Sequence, residues 1–99
     1  DCTYGEAVLA VGLIDEYGDG GNCPSGDASV TFGRWNTASG TFSTVTGGHI
    51  NVASGYSSFV SGGRYNRATG SYSSVSGGAF NKASGDNSSV TGGNSNEAT

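Results

Sequence analysis

Few side chains in this sequence could carry chemistry, and their spacing decides of what kind. The single His, His49, falls in a variable position of a repeating pattern, in phase with Arg34, Arg64, Ala79 and Asn94. Nucleophilic catalysis needs a nucleophile, a base in reach of it and a third group that orients the base. No such set can be assembled here, so the expectation is a protein without catalytic residues. One His and two Cys are also too few for a zinc centre, which takes four ligands. Asp15, Asp19 and Gly20 have the spacing that opens a calcium loop, but the bidentate Glu that closes one is missing. Gly-Gly pairs recur in every repeat, so they mark corners of a fold and not a phosphate cradle. No metal and no cofactor is implied. Cys2 and Cys23 are the only cysteines. In a small repeat chain they read as one disulfide, contributing about 3 kcal/mol, and they imply an oxidising, extracellular compartment. Asn87-Ser88-Ser89 is the only N-glycosylation sequon, which makes Asn87 a candidate modification site.

The composition limits what can hold these residues in place. Of 99 residues, 52 are Gly, Ser, Thr or Asn, and only 16 are Leu, Ile, Val or Phe. No run of about 18 apolar residues exists, so no membrane span is expected. The acidic balance (net charge −4) and the lack of a Lys/Arg cluster argue against a nucleic-acid partner. A Gly-rich, Leu-poor chain does not suit a helical bundle. So few large apolar residues would normally mean disorder, yet 10% of the chain is aromatic and the net charge is small. Order must come from something other than a large core.

It comes from repetition. From Ser29 the sequence repeats every 15 residues. Val30, Val45, Val60, Val75 and Val90 share a phase, as do Asn36, Asn51, Asn66, Asn81 and Asn96, with Ala two residues after each Asn. The unit reads S-x-V-[ST]-G-G-x-x-N-x-A-[ST]-G-x-x. Within it, small and apolar residues alternate with period two, which is the signature of strands. A 15-residue unit is too short for a pair of helices and matches one coil of a β-solenoid. The fold class predicted is therefore all-β: a parallel β-solenoid, or β-roll, of about five coils, with like residues stacked about 4.8 Å apart. The Asn column reads as an internal ladder of side-chain amides that bond one another and the corner backbone.

The pattern G-x-x-S-x-V-x-G-G-x-x-N-x-A-x, over residues 29–99, resembles the head repeats of trimeric autotransporter adhesins. That family forms left-handed parallel β-rolls that trimerise. The present unit departs from those repeats by one extra residue per coil, by Asn in place of the first Ala and by Val in place of the other. Segments such as Ser43-Thr44-Val45-Thr46-Gly47-Gly48-His49 are also similar to the β-roll repeats of plant ice-binding proteins. Both resemblances imply an extracellular protein.

The outward positions predict three surfaces. Ser29/Thr31, Thr44/Thr46, Phe59/Ser61, Ser74/Ser76 and Ser89/Thr91 flank the Val column and form a hydroxyl ladder that could order water or ice. Thr31, Thr44, Thr46, Ser61, Ser76 and Thr91 are its candidate site residues. The face flanking the Ala column (Thr37/Ser39, Val52/Ser54, Arg67/Thr69, Lys82/Ser84, Glu97/Thr99) is mixed and reads as solvated. At one corner, Trp35, Ile50, Tyr65 and Phe80 form an apolar column, and Phe42, Tyr56 and Tyr72 lie near the other. On so thin a roll, such a stripe reads as a self-association surface.

Residues 1–28 differ in kind. They hold six of the eight acids and no Lys or Arg, so this segment carries −6 while the repeats carry +2. Tyr4 to Ile14 reads as strand and Tyr17 to Asn22 as loop; the segment is expected to be a disulfide-closed acidic cap on the solenoid of residues 29–99. The chain has no Met, which suggests a processed N-terminus, and its last repeat is unfinished at Thr99, which suggests a longer chain or a covering subunit. The function expected is an extracellular, self-associating fibre or adhesin-head-like module. Its partners would be further copies (a homotrimer, a head-to-tail filament, or both), with surface glycans or host matrix as further candidates. Ice binding through the Ser/Thr ladder and a viral tail-fibre module are the alternatives.

Overall fold

A computed structural model describes residues 2–12 and 21–99. The described residues form short strands and turns with no helix. In chain order the strands are β1 (Leu9–Gly12), β2 (Val30–Gly33), β3 (Thr37–Ala38), β4 (Thr44–Val45), β5 (Val52–Ala53), β6 (Phe59–Val60), β7 (Arg67–Ala68), β8 (Ser74–Val75), β9 (Lys82–Ala83), β10 (Ser89–Val90) and β11 (Glu97–Ala98). They build two sheets, in the orders β1-β2-β4-β6-β8-β10 and β3-β5-β7-β9-β11, and every pairing is parallel. Successive strands in sequence lie in opposite sheets from β2 onward, so the chain winds as a solenoid. From coil to coil Val45 pairs with Val60, and Ala53 pairs with Ala68, a register of fifteen residues.

The interior is as thin as the composition requires. Val45, Val60 and Val75 face inward from the first sheet and Ala38, Ala53, Ala68 and Ala83 from the second, all fully buried. Ser43, Ser58 and Ser73 fill the space beside the Val column. Gly55 lies in the same layer, where an added Cβ would strike the Gly70 carbonyl of the next coil. That close approach is the reason only Gly fits there.

One coil breaks the fifteen-residue register. Val30 pairs with Thr44 and Thr31 with Val45, while Arg34 pairs with His49. Ser29 to Gly33 spans the stretch that Ser43 to Gly48 spans one coil later, so this coil is a residue short. A one-residue slip exchanges the two faces of a strand. Thr31 therefore occupies the inward position and is fully buried, with Val30 turned to the partly exposed side. Thr31 consequently does not belong to the outward hydroxyl ladder where the sequence phase put it, and neither does Ser29, which is also buried.

The stacking also runs on through residue 28. The Cys23 N–H donates to Asn36 O and the Ala28 N–H donates to Glu6 O, while β1 pairs with β2 along its whole length. Asn22, expected in a loop, is buried within the Asn column. A disulfide joins Cys2 to Cys23, with Cα atoms 5.7 Å apart, and ties the first described residues to the second sheet's end. Leu13 to Gly20, including Asp15 and Asp19 of the calcium-type spacing, lie outside the described residues.

Candidate functional site: an internal amide ladder and two aromatic edges

In the Asn column each buried side chain pairs both its N–H groups and its oxygen with backbone groups, and not with the next amide. Asn66 Oδ1 accepts from the Asn81 backbone N–H at 2.9 Å. Its Nδ2 donates to Gly62 O in its own corner and to Gly78 O in the next coil, both at 2.9 Å. Asn51 and Asn81 repeat the same three bonds. Asn36 does the same, with Phe32 O at the position four residues earlier that Gly holds in the later coils. Asn22 continues it by donating to Val11 O and Gly33 O and accepting from Asn36. Asn36, Asn51, Asn66 and Asn81 are buried, whereas Asn96 is exposed, though its N–H still donates to Asn81 Oδ1. A buried amide without partners would cost several kcal/mol; here each one fastens two coils together. The fourteen-residue gap between Asn22 and Asn36 sets this first member out of the fifteen-residue phase.

The Ser column is less complete. Ser43 and Ser73 donate to Gly40 O and Gly70 O at 2.6 Å, while the buried Ser58 hydroxyl has no partner.

Two corners close each coil, one leading from the first sheet to the second and the other leading back. The first, here edge I, contains Arg34 and Trp35, His49 and Ile50, Arg64 and Tyr65, Ala79 and Phe80, then Asn94 and Ser95. The second, edge II, contains Glu6 and Ala7, Asp27 and Ala28, Thr41 and Phe42, Tyr56 and Ser57, Ser71 and Tyr72, then Asp86 and Asn87. Alternation between the sheets places the edges on opposite sides of the roll. Both turn through the left-handed region at non-Gly residues. On edge I these are Trp35, Ile50, Tyr65, Phe80 and Ser95, with φ from 56° to 60°, and on edge II Ala28, Phe42, Ser57, Tyr72 and Asn87, with φ from 52° to 59°. Left-handed backbone costs about 1–2 kcal/mol per L-residue and favours Gly or Asn.

The rings at these corners stay at the surface: Trp35, Tyr65 and Phe80 are exposed on edge I, and Phe42, Tyr56 and Tyr72 on edge II. Tyr65 stacks flat on Phe80, centroids 4.9 Å apart. At the coil of Ile50 the stack passes instead through His49, 5.2 Å from Trp35 and 6.4 Å from Tyr65. Arg34 lies over the Trp35 ring at 4.4 Å. On edge II, Tyr56 meets Phe42 and Tyr72 edge-on, each at 5.7 Å. Sequence phase named Trp35, Ile50, Tyr65 and Phe80 but missed His49, whose ring is displaced by one residue from the column.

On the first sheet's outer face, Thr46, Ser76 and Thr91 are exposed and Thr44 and Ser61 half-buried, with Phe59 projecting among them. Asn87 is exposed on edge II. Among the described residues no group of three or more His, Cys, Asp or Glu could hold a metal ion, and no helix is long and apolar enough to cross a membrane. The fold places the chain in the class of parallel β-solenoids. Compared with family models, curated proteins and solved structures, the chain has no match.

Proposed function

We propose that this chain is a non-catalytic structural module of an extracellular fibre or adhesin head, and that its partners are further copies of itself. One observation carries the reading: large apolar side chains occupy corner positions whose backbone conformation disfavours them, and the rings among them are exposed. Backbone strain persists where the surrounding structure imposes it, and it clusters at sites with a role. Gly or Asn would complete the same corners at lower cost. Tyr65, Phe80, Phe42 and Tyr72 gain stacking along their own edge, yet leave about half of each ring in water. Contact with another molecule recovers that area.

The disulfide fits an oxidising compartment. Closed homotrimers and filaments both satisfy the reading, and glycans or matrix would be secondary partners. Ice binding has less support, because Phe59 projects among the hydroxyls between Thr44 and Ser74, and Thr31 is buried. A tail-fibre module would use the same architecture. The test is sedimentation velocity of the purified chain at tens of micromolar, together with electron micrographs. Discrete oligomers or fibres are expected; a monomer throughout would overturn the reading.

A further inference from the structure

All eight Asn of the chain lie among the described residues, and the fold employs them unequally. Asn22, Asn36, Asn51, Asn66 and Asn81 are buried in the ladder. Asn96 ends it, its Nδ2 donating to Gly92 O at 3.0 Å. Asn94 Oδ1 accepts from the Ser95 hydroxyl at 2.7 Å. Asn87 is exposed, and its corner is held by other groups: the Asn87 N–H donates to Ser71 O at 2.8 Å, and Asp86 Oδ1 accepts from the Ser71 N–H at 3.1 Å. The Asn87 side-chain amide takes no part in these bonds, so the corner closes without it. Asn87 alone also opens an Asn-x-Ser/Thr sequence, Asn87-Ser88-Ser89. Sugar transfer to Asn needs that hydroxyl two residues on and an amide at the surface. The buried Asn meet neither condition: Ala stands two residues after Asn36, Asn51, Asn66 and Asn81, and Pro24 after Asn22.

A second feature meets Asn87 from the coil before it. Tyr72 and Asn87 occupy the same corner position, with φ of 58° and 59°, and stack one coil apart, about 4.8 Å. Tyr72 is the last ring of edge II. On one side it meets Tyr56, centroids 5.7 Å apart; on the other its column continues with Asn87 and no ring. It is 59% exposed, more than any other large apolar side chain among the described residues.

We infer that Asn87 is an N-glycosylation site whose first sugar packs on Tyr72. The co-reactant is an oligosaccharide carried on a polyprenyl pyrophosphate, and a membrane oligosaccharyltransferase of the secretory pathway joins the two. Nδ2 attacks C1 of the first sugar. A C–N bond forms, the C1–O bond to the pyrophosphate breaks, and Nδ2 gives up one proton; no oxidant or reductant is needed. The sugar then hangs directly from Nδ2, within reach of a ring one coil away. Its apolar face covers ring surface that Tyr72 otherwise leaves in water. The inference rests on the extracellular reading, because transfer takes place on chains entering the secretory pathway. It assigns the open end of the edge II row to a glycan and leaves the ring column of edge I, on the opposite side of the roll, to other copies.

The test is secretion of the chain from eukaryotic cells, with intact mass, disulfide state and melting temperature read on the product. One glycan is expected, removed by peptide N-glycosidase and absent from Asn87→Gln and Ser89→Ala. The glycosylated chain is expected to melt roughly 4 °C above its deglycosylated form. That gain is expected to fall by about half or more in Tyr72→Ala, a change the corner accepts, since Ala28 holds the same conformation on that edge. A secreted chain with the Cys2–Cys23 bond formed and no glycan would overturn the site and leave the extracellular reading standing. A secreted chain with free thiols at Cys2 and Cys23 and no glycan would overturn both. A glycan that stabilises Tyr72→Ala as much as the unaltered chain would overturn the packing on Tyr72.

Discussion

The inside of this roll and its edges follow opposite rules. Inside, each column holds nearly one residue type: Asn36, Asn51, Asn66 and Asn81 are all buried and make nearly the same bonds. At the edges the backbone is constant, with φ at Trp35, Ile50, Tyr65, Phe80 and Ser95 within a few degrees, but the side chains vary from Trp to Ser. Inside, residue type is dictated by the next coil, because a buried polar group must find its partner there and a Cβ must miss the next carbonyl. At the edges the next coil dictates only the conformation. Side chains that this conformation disfavours are then free to serve contacts outside the chain. The interior explains the fold, and the edges explain what the fold presents.

Substitutions can break this comparison, beginning with the largest effect. Replacing Asn66 by Ala strips partners from the Asn81 N–H and Gly62 O and should cost about 3–4 kcal/mol, at 1–3 kcal/mol for each group left unsatisfied; a denaturant melt measures it. Val60→Ala removes two methyls from a fully buried column. It should cost about 2–3 kcal/mol in the same assay, the transfer term plus a small cavity. Cys2→Ser opens the loop to Cys23, 21 residues away, and removes about 3 kcal/mol by chain entropy. In a solenoid that loss should stay local, so hydrogen exchange should quicken in the first coil and far less beyond Asn51. Ile50→Asn should instead stabilise the chain by about 1 kcal/mol, since Asn tolerates the left-handed region and Ile does not. Ser58→Ala should change stability by well under 1 kcal/mol, because its buried hydroxyl has no partner to lose. If Ser58→Ala proved as costly as Asn66→Ala, the contrast between a satisfied and an unsatisfied buried side chain would fail.

The sequence made the interior legible because strict phase is what stacking demands. Period two within a fifteen-residue unit predicts two short parallel strands per coil, and the Asn, Ala and Val columns follow from it. The first coil was not legible. It lacks one residue between Ser29 and Gly33, so identity in phase at Val30 misled, and Thr31 and Asn22 took interior positions that no fifteen-residue alignment contains. The edge conformation was also hidden, since Gly and Asn announce a positive φ but Trp, Tyr and Phe do not. Only Asn87, in the same column as Phe42 and Tyr72, gave that signal.

The claim at the centre of this account is that edge side chains are held against their backbone preference for contact with another copy. The doubly substituted chain Tyr65→Asn/Phe80→Asn tests it most directly, with melting temperature and sedimentation read on the same sample. Relief of two left-handed residues offsets the stacking lost between the rings, about 0.5–1.5 kcal/mol. The account predicts a melting temperature equal to or above that of the unaltered chain, and association reduced at least tenfold. A lowered melting temperature with association unchanged would contradict it, and would assign the rings to the roll's own stability.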